Sequence, residues 1–339
     1  MWASRDCQQL PCPAKGPAMQ IASSPRLAAL IGGAGFVGTA LTEALVRAGW
    51  RVRIIGRNPI AARHLMPLGD LGQIAAVRAD LRVPASLQPA LQGADLAVNL
   101  VGILNEKGGQ SFVQVQARGA ALAAQTAARL GIPAFVQVSA IGADPNSPSA
   151  YGRTKAEGEA AVRAAIPTAA IVRPSLIFGA DDGFTNRFAS LIAAAPVVPV
   201  IAPETRFQPV YVKDVAAALL AVIDRQFGGN PGGTFEFGGP EILSMREIMA
   251  FIAAEIGCGD KALIDTPDIG ARLLATFGSL PGAPLTRDQY LMLRRDNIVT
   301  PGTPGLAELG VTPTPIEAVA ANWLARYRSG GRFAGQKPA

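Results

Sequence analysis

Two side chains that can hold and transfer a proton stand four residues apart near the middle of the sequence. Tyr151 and Lys155 form a Y-x-x-x-K pattern, and on a helix such residues share one face, one turn apart. An ammonium group beside a phenol favours the phenolate, so we expect the lysine to lower the tyrosine pKa and make it an acid–base group. Ser139, at the end of a predicted strand upstream, makes this pattern more specific than the pair alone.

A glycine-rich stretch near the start of the sequence has the spacing of a phosphate-binding turn. Gly32, Gly35 and Gly38 lie three residues apart, with Phe36 and Val37 between the last two. Glycines allow a tight turn and let a pyrophosphate approach backbone N–H groups, and the following helix adds a positive dipole. Because a predicted strand precedes the glycines, the sequence predicts a dinucleotide site here.

The end of the second predicted strand indicates which dinucleotide binds. An NAD site places an acidic residue about 20 positions after the glycines, whereas this sequence has Arg57 there and no Asp or Glu beside it. An arginine can pair with a 2′-phosphate and stack on adenine. The alternative is a solvated surface arginine. The pattern favours NADPH (NADP) over NAD.

Residues at the ends of the third and fourth predicted strands extend this site. Asp80, followed by Leu81, can accept a hydrogen bond from an adenine amino group. Asn99 opens a short stretch to Val101 and Gly102, where small residues let the backbone run beside the cofactor. Both stretches are equally compatible with ordinary strand ends.

The elements that must position these residues alternate between strand and helix. Strands are predicted at 27–31, 51–55, 74–79, 96–101, 134–138, 169–172 and 234–237, and helices at 36–48, 87–91, 113–130 and 150–165. Right-handed crossovers between such strands give a doubly wound α/β domain with a parallel sheet. We expect 27–175 with 209–239 to form this domain, and 176–208 with 240–329 to form a smaller mixed α/β lobe.

The composition excludes several classes of protein. With 339 residues, of which 49% are hydrophobic, the chain can bury a sizeable core, so wholesale disorder is excluded. One histidine and three cysteines exclude a multi-histidine metal site, a four-thiolate zinc site and a disulfide framework. The net charge of +6 is spread thinly, so we expect no nucleic acid partner and no metal.

The uncharged run and the two ends of the chain carry further predictions. The longest uncharged run, 188–203, is shorter than a bilayer span and contains prolines. The chain is therefore not expected to cross a membrane, although peripheral contact with one is compatible with its basic charge. Residues 1–26 are predicted to be a disordered or non-native extension, with Met1 or Met19 as the start. Residues 330–339 are predicted to be a flexible tail.

These residues together resemble the extended, or atypical, short-chain dehydrogenases/reductases, which have a Rossmann fold. The motifs that carry the resemblance are Gly32/Gly35/Gly38, Asp80, 99–102, Tyr151/Lys155, Arg173-Pro174 and 206–215. Stretches at 101–104, 138–144, 177–188, 206–211, 285–289 and 295–297 resemble one branch more narrowly. That branch is the nucleotide-binding accessory subunit of respiratory complex I, alpha-subcomplex subunit nine, and its bacterial relatives. The resemblance covers about 27–329.

The resemblance implies an NADPH-binding site that includes Ser139, Tyr151, Lys155 and Pro174, with the first three as vestigial catalytic residues. The alignment puts Ala140 where catalytic members have the serine that polarises the substrate carbonyl. A slip of one residue on a strand reverses the side-chain face, so we expect Ser139 to point away from the nicotinamide. The pocket would then keep an acid–base group and lack its oxyanion donor.

Two functions of different classes follow. The first is a structural or regulatory NADPH-binding subunit with little turnover of its own. Its partners are complex I subunits, and it lies on the cytoplasmic face of a bacterial inner membrane, or on the matrix side in a mitochondrion. The second is a freestanding NADP-dependent reductase, epimerase or dehydratase that acts on a small molecule through Tyr151 and Lys155.

Overall fold

The computed structural model describes residues 25–276, 285–329 and 331. Residues 1–24 of the predicted N-terminal extension, and the predicted tail apart from Gly331, lie outside the described residues. Within the described chain, thirteen strands and eleven α-helices follow one another.

The strands are β1 (Leu27–Ile31), β2 (Arg51–Gly56), β3 (Ile74–Arg78), β4 (Leu96–Asn99), β5 (Ala134–Val138), β6 (Ala170–Pro174), β7 (Ile177–Phe178), β8 (Val197–Ile201), β9 (Arg206–Phe207), β10 (Val210–Tyr211), β11 (Thr234–Phe237), β12 (Leu243–Ser244) and β13 (Ala262–Thr266). The helices are α1 (Phe36–Arg47), α2 (Pro84–Leu91), α3 (Arg118–Arg129), α4 (Ala150–Ala165), α5 (Thr185–Ala194), α6 (Val212–Phe227), α7 (Met245–Glu255), α8 (Asp268–Thr276), α9 (Arg287–Met292), α10 (Ile316–Val319) and α11 (Ala321–Leu324).

Seven of the strands form one parallel sheet in the order β11-β6-β5-β4-β1-β2-β3. The order reverses direction between β1 and β4, which is the switch point where open α/β sheets bind their ligands. The predicted doubly wound α/β fold is confirmed.

Alternation along the strands sends side chains into two separate apolar cores. Val136 and Val138 of β5 pack on one face with Leu41 of α1 and Leu219 of α6. Phe135 packs on the other face against residues of α2, α3 and α4. Because both faces are covered by helices, the strands are apolar throughout, as parallel sheets require.

Several predicted boundaries differ from the structure; the helix predicted at 113–130, for example, is α-helical over Arg118–Arg129. Two of the differences have local reasons. The fourth strand was predicted to reach Val101, but β4 ends at Asn99, whose side-chain oxygen accepts the Val101 N–H at 3.2 Å. The Leu100 N–H still donates to the Ile31 carbonyl at 2.9 Å, so the chain leaves the sheet just after the strand end. Helix α2 begins at Pro84, three residues before its predicted start, because proline at the first helical position already has a helical φ.

The second lobe has its own apolar core and three short strand pairs. β8 pairs in parallel with β13, β7 in parallel with β10, and β9 antiparallel with β12. Phe178, Ile248, Ile252 and Trp323 lie at the centre of this core. None of the described helices is both long and apolar enough to span a bilayer.

Candidate functional site

The glycine turn between β1 and α1 forms a cradle that only glycine can provide. Gly32 has a φ of +83°, and its carbonyl accepts the Gly35 N–H at 3.0 Å. A Cβ at Gly38 would lie 2.5 Å from the Gly33 oxygen, so Gly38 lets α1 start close against the turn. A Cβ at Gly35 would meet only the Gly32 oxygen, at 3.2 Å, and would otherwise fill the open cradle.

The N-terminus of α1 faces this cradle without a competing group. In the described chain no side chain caps the helix, and its first turn carries no acidic residue. The N–H groups of Phe36, Val37 and Gly38 are therefore left to a ligand, and the helix dipole favours an anion. A dinucleotide pyrophosphate fits both the space and the charge.

The end of β4 joins this cradle to helix α4. A Cβ at Gly32 would lie 2.9 Å from Val101 Cγ2, and a Cβ at Gly102 would lie 3.2 Å from Lys155 Nζ. Asn99 supports this path: its side-chain amide donates to Gln137 Oε1 at 2.9 Å while its oxygen holds the Val101 N–H. The structure thus brings the glycines, Val101, Gly102 and Lys155 to one edge of the sheet.

The three residues predicted to bind the adenine end of the cofactor differ in their exposure and contacts. Arg57 is exposed just after β2. The Asp80 carboxylate pairs with Arg82 at 2.7 Å, and this hydrogen-bonded guanidinium holds the pKa of Asp80 below its usual range, with a smaller contribution from Arg57. Leu81 is buried in the core under α3, so only its backbone can line a ligand site.

Tyr151 and Lys155 share a face of α4, as predicted. The Lys155 Nζ lies 5.8 Å from the centre of the Tyr151 ring and 3.4 Å from the Val138 carbonyl oxygen. The prediction that the lysine lowers the tyrosine pKa is wrong for the cofactor-free chain. Burial raises the pKa of Tyr151 to about 12, because removing a phenolate from water is unfavourable.

Ser139 lies on the α4 side of the sheet, and its orientation toward the nicotinamide stays a prediction. Its N–H donates to Val172 at 2.7 Å and the Ile141 N–H donates to Pro174 at 3.1 Å, so the ladder stays extended past the end of β5. Alternation then puts Ser139 on the side of Phe135, which α3 and α4 cover, and Ala140 on the other side. The Ser139 hydroxyl is buried and has no hydrogen-bond partner among the described residues.

Sequence reasoning missed two carboxylates that hold α4. Asp288 of α9 accepts the N–H groups of Ala150 and Tyr151, at 2.6 and 3.1 Å, and so caps the tyrosine helix from the second lobe. Glu159, one turn after Lys155, is gripped by Arg173 of β6. A Y-x-x-x-K-x-x-x-E pattern could have indicated Glu159, whereas no local signal links Asp288 to a helix 137 residues away.

This arrangement can bind an anionic dinucleotide and hold a proton beside it. A nicotinamide ring, when bound, supplies hydride chemistry. The chain contributes the cradle for the pyrophosphate, a protonated phenol at Tyr151, an amine at Lys155 and a hydroxyl at Ser139.

A doubly wound sheet with this glycine turn and a Tyr–Lys pair on α4 defines an NAD(P)-binding protein of the short-chain dehydrogenase/reductase class. The chain belongs to the NAD dependent epimerase/dehydratase family, whose model matches residues 28–238. The predicted family is confirmed.

Among curated relatives, several are named as complex I subunits. "NADH dehydrogenase [ubiquinone] 1 alpha subcomplex subunit 9, mitochondrial" of Dictyostelium discoideum is 30% identical over 313 residues, covering 91% of this chain and 86% of that protein. The Mus musculus protein of the same name is 32% identical, covering 89% and 81%. A "Ceramide reductase" of Caulobacter vibrioides is 37% identical over 194 residues, covering 57% of this chain and 59% of that protein.

Solved structures share the fold at lower identity. The Escherichia coli NADPH-dependent quinone oxidoreductase QOR2, complexed with NADPH, has a TM-score of 0.66 at 19% identity and covers 88% of this chain and 99% of that chain. The Bordetella bronchiseptica enzyme WbmH, in complex with NAD+, has a TM-score of 0.63 at 15% identity, covering 90% and 99%. At this identity the likeness concerns the fold alone.

Proposed function

We propose that the chain is an NADPH-binding accessory subunit of respiratory complex I (NADH:ubiquinone oxidoreductase), in which the bound nucleotide is structural or regulatory. The observation that carries the proposal is the cradle at Gly35 beside an uncapped α1. It is supported by relatives that carry a complex I name and align over more than four fifths of this chain. The cradle fits a dinucleotide, and the names of these relatives support complex I as the assembly.

The preference for NADPH rests on Arg57. Its guanidinium is exposed at the end of β2, and its charge acts on the neighbouring Asp80. Since a hydrogen bond to a charged group is worth about 1.5–3 kcal/mol, Arg57→Ala should weaken NADPH binding more than tenfold and leave NADH binding almost unchanged. Calorimetric titration measures both affinities.

Arg51→Ala is the matched control, because Arg51 is exposed at the opposite end of β2. Equal NADPH and NADH affinities in the unmutated protein would contradict the preference.

We also propose separate roles for the two parts of the chain. Residues 27–175 with 209–239 would bind the nucleotide, and 176–208 with 240–329 would face a partner or substrate. In a complex I setting the protein would lie peripherally, on the cytoplasmic face of a bacterial inner membrane or on the matrix side in a mitochondrion.

Assembly is tested by purification from the native membrane. The tagged chain, extracted in mild detergent, should migrate with NADH:ubiquinone oxidoreductase activity in native gels. Gly35→Val is expected to reduce its share in that band, because a ligand that binds only the folded state stabilises it. Migration as a small free protein, with none in the large complex, would overturn the proposed assembly.

A freestanding reductase is the second candidate, and the position of Ser139 favours it. The serine, Tyr151 and Lys155 all belong to the layer between the sheet and α4, and the serine hydroxyl is buried without a partner in the described chain. Buried hydroxyls are normally hydrogen-bonded, so a substrate carbonyl is a suitable acceptor. The relative named as a ceramide reductase supports the same reading.

A further inference from the structure

A buried row of alternating charges runs from α4 across the sheet to the second lobe. Arg173 of β6 donates to both carboxylate oxygens of Glu159, from Nε at 2.8 Å and from Nη2 at 2.6 Å. Its Nη1 lies 3.4 Å from Glu236 of β11, whose other oxygen accepts the Thr300 N–H at 2.8 Å. Glu159 and Glu236 are only 5% and 4% exposed, so these charges are screened little by water.

Lys155 stands at the α4 end of this row. It is 6% exposed and lies one turn from Glu159 on the same helix face. Its hydrogen bond to the protein goes to a neutral carbonyl at 3.4 Å, near the limit of such a bond. A buried ammonium needs a compensating charge. Glu159 is the charge on α4 that acts on it, and the Tyr151 ring lies 5.8 Å from its Nζ. The other charged groups nearby in the fold are Arg173 of β6 and Glu236 of β11, which continue the row beyond Glu159, and Asp288 of α9, which bonds the first turn of α4.

We propose that Glu159 is a positioning residue that keeps the Lys155 amine charged at neutral pH and directed toward the cofactor edge of the sheet. Arg173 bonds both oxygens of Glu159, whereas the Lys155 amine contacts the Val138 carbonyl. The carboxylate therefore acts on Lys155 through its electric field and not through a direct hydrogen bond. The N–H groups of Lys155 then remain available to a ligand near Gly102. This role holds for either function proposed above.

The electrostatics of Lys155 agree with this role. Burial lowers the pKa of Lys155 to about 8, and the charge of Glu159 acts against that fall. Removing the carboxylate should therefore lower the pKa of Lys155 further and increase the neutral fraction of the amine, although the fold around it is intact.

The experiment follows Lys155 directly in the cofactor-free protein. The chain contains six lysines, so labelling with lysine enriched at 13Cε gives few resonances, and the one lost in Lys155→Arg is assigned to Lys155. Titration between about pH 6 and pH 11 gives its midpoint. We expect Glu159→Gln to move this midpoint to lower pH, and Glu159→Asp, which keeps the charge, to restore it.

Glu157→Gln is the matched control, since Glu157 lies on the same helix, exposed and two residues from Lys155. It should leave the midpoint unchanged. If Glu159→Gln does not fold, the triple variant Glu159→Met/Arg173→Met/Glu236→Gln removes the whole charge row, a change that buried ion clusters often tolerate. Its midpoint should lie at lower pH than that of Arg173→Met/Glu236→Gln, which differs from it only in keeping Glu159. An unchanged midpoint in either folded variant, or an equal shift in Glu157→Gln, would overturn the proposal.

Discussion

At the scale of single residues, a substitution at Gly35 should remove dinucleotide binding without unfolding the protein. A side chain there would meet one backbone oxygen and then the space of the cradle. We expect Gly35→Val to remain folded, with a thermal midpoint lowered by the poorer helix cap, and to show no dinucleotide binding by fluorescence titration. Gly183→Val is the control, because a Cβ at Gly183 meets nothing within 4 Å and its φ is not positive. Normal NADPH binding by folded Gly35→Val would show that the nucleotide lies elsewhere.

Lys155 gives the cofactor-free protein a predictable pH dependence. Its pKa is about 8 in the folded chain, against an ordinary value of 10.5, and burial is the main cause. Between those two pH values the unfolded chain binds more protons than the folded protein, so the free energy of unfolding rises with pH across that window. The rise should be on the order of 3 kcal/mol.

Urea unfolding of the unmutated protein and of Lys155→Met, measured from about pH 7.5 to pH 10, isolates this contribution. The difference between the two curves should change steadily with pH, because methionine carries no proton. Parallel curves would mean that Lys155 titrates alike in the folded and unfolded chains.

At the scale of elements, α9 acts as a cap for α4. The Asp288 carboxylate accepts two N–H groups from the first turn of the tyrosine helix, where a negative charge also complements the helix dipole. Asp288→Ala should lower the free energy of unfolding by about 0.5–2 kcal/mol. Asp260→Ala is the control, since Asp260 is exposed in a turn of the same lobe. Equal losses in both variants would show that the cap contributes nothing specific.

Elements that are fixed by contacts between neighbouring residues are easier to predict from the sequence than those fixed by contacts between distant residues. Helix α4 has its predicted bounds because its start is local: the Ser149 hydroxyl accepts the Gly152 N–H at 3.0 Å. The glycine turn is equally local. The face of Ser139 is harder to predict from the local sequence, because it depends on how far β5 stays paired with β6, and that pairing involves residues more than thirty positions away.

At the scale of the whole molecule, the two lobes meet at α4, and this junction decides between the two proposed functions. Asp288 reaches the helix from the second lobe, and Glu236, which receives the Thr300 N–H, joins it through Arg173. A substrate seated between the lobes would lie beside Tyr151. A chain that only holds NADPH keeps the same junction as a folded support for the nucleotide.

Turnover is therefore the measurement that separates a subunit from an enzyme. If the chain is an accessory subunit, purified protein should bind NADPH saturably and show no oxidation above background with aldehydes, ketones, lipid ketones or nucleotide sugars. Tyr151→Phe should leave NADPH affinity nearly unchanged, because one neutral hydrogen bond is worth about 0.5–1.5 kcal/mol. Tyr327→Phe serves as the control, since its hydroxyl bonds Asn186 in the second lobe. Turnover that Tyr151→Phe abolishes, and that Tyr327→Phe and Ala140→Ser leave intact, would instead identify a reductase in which Ser139 polarises the substrate carbonyl.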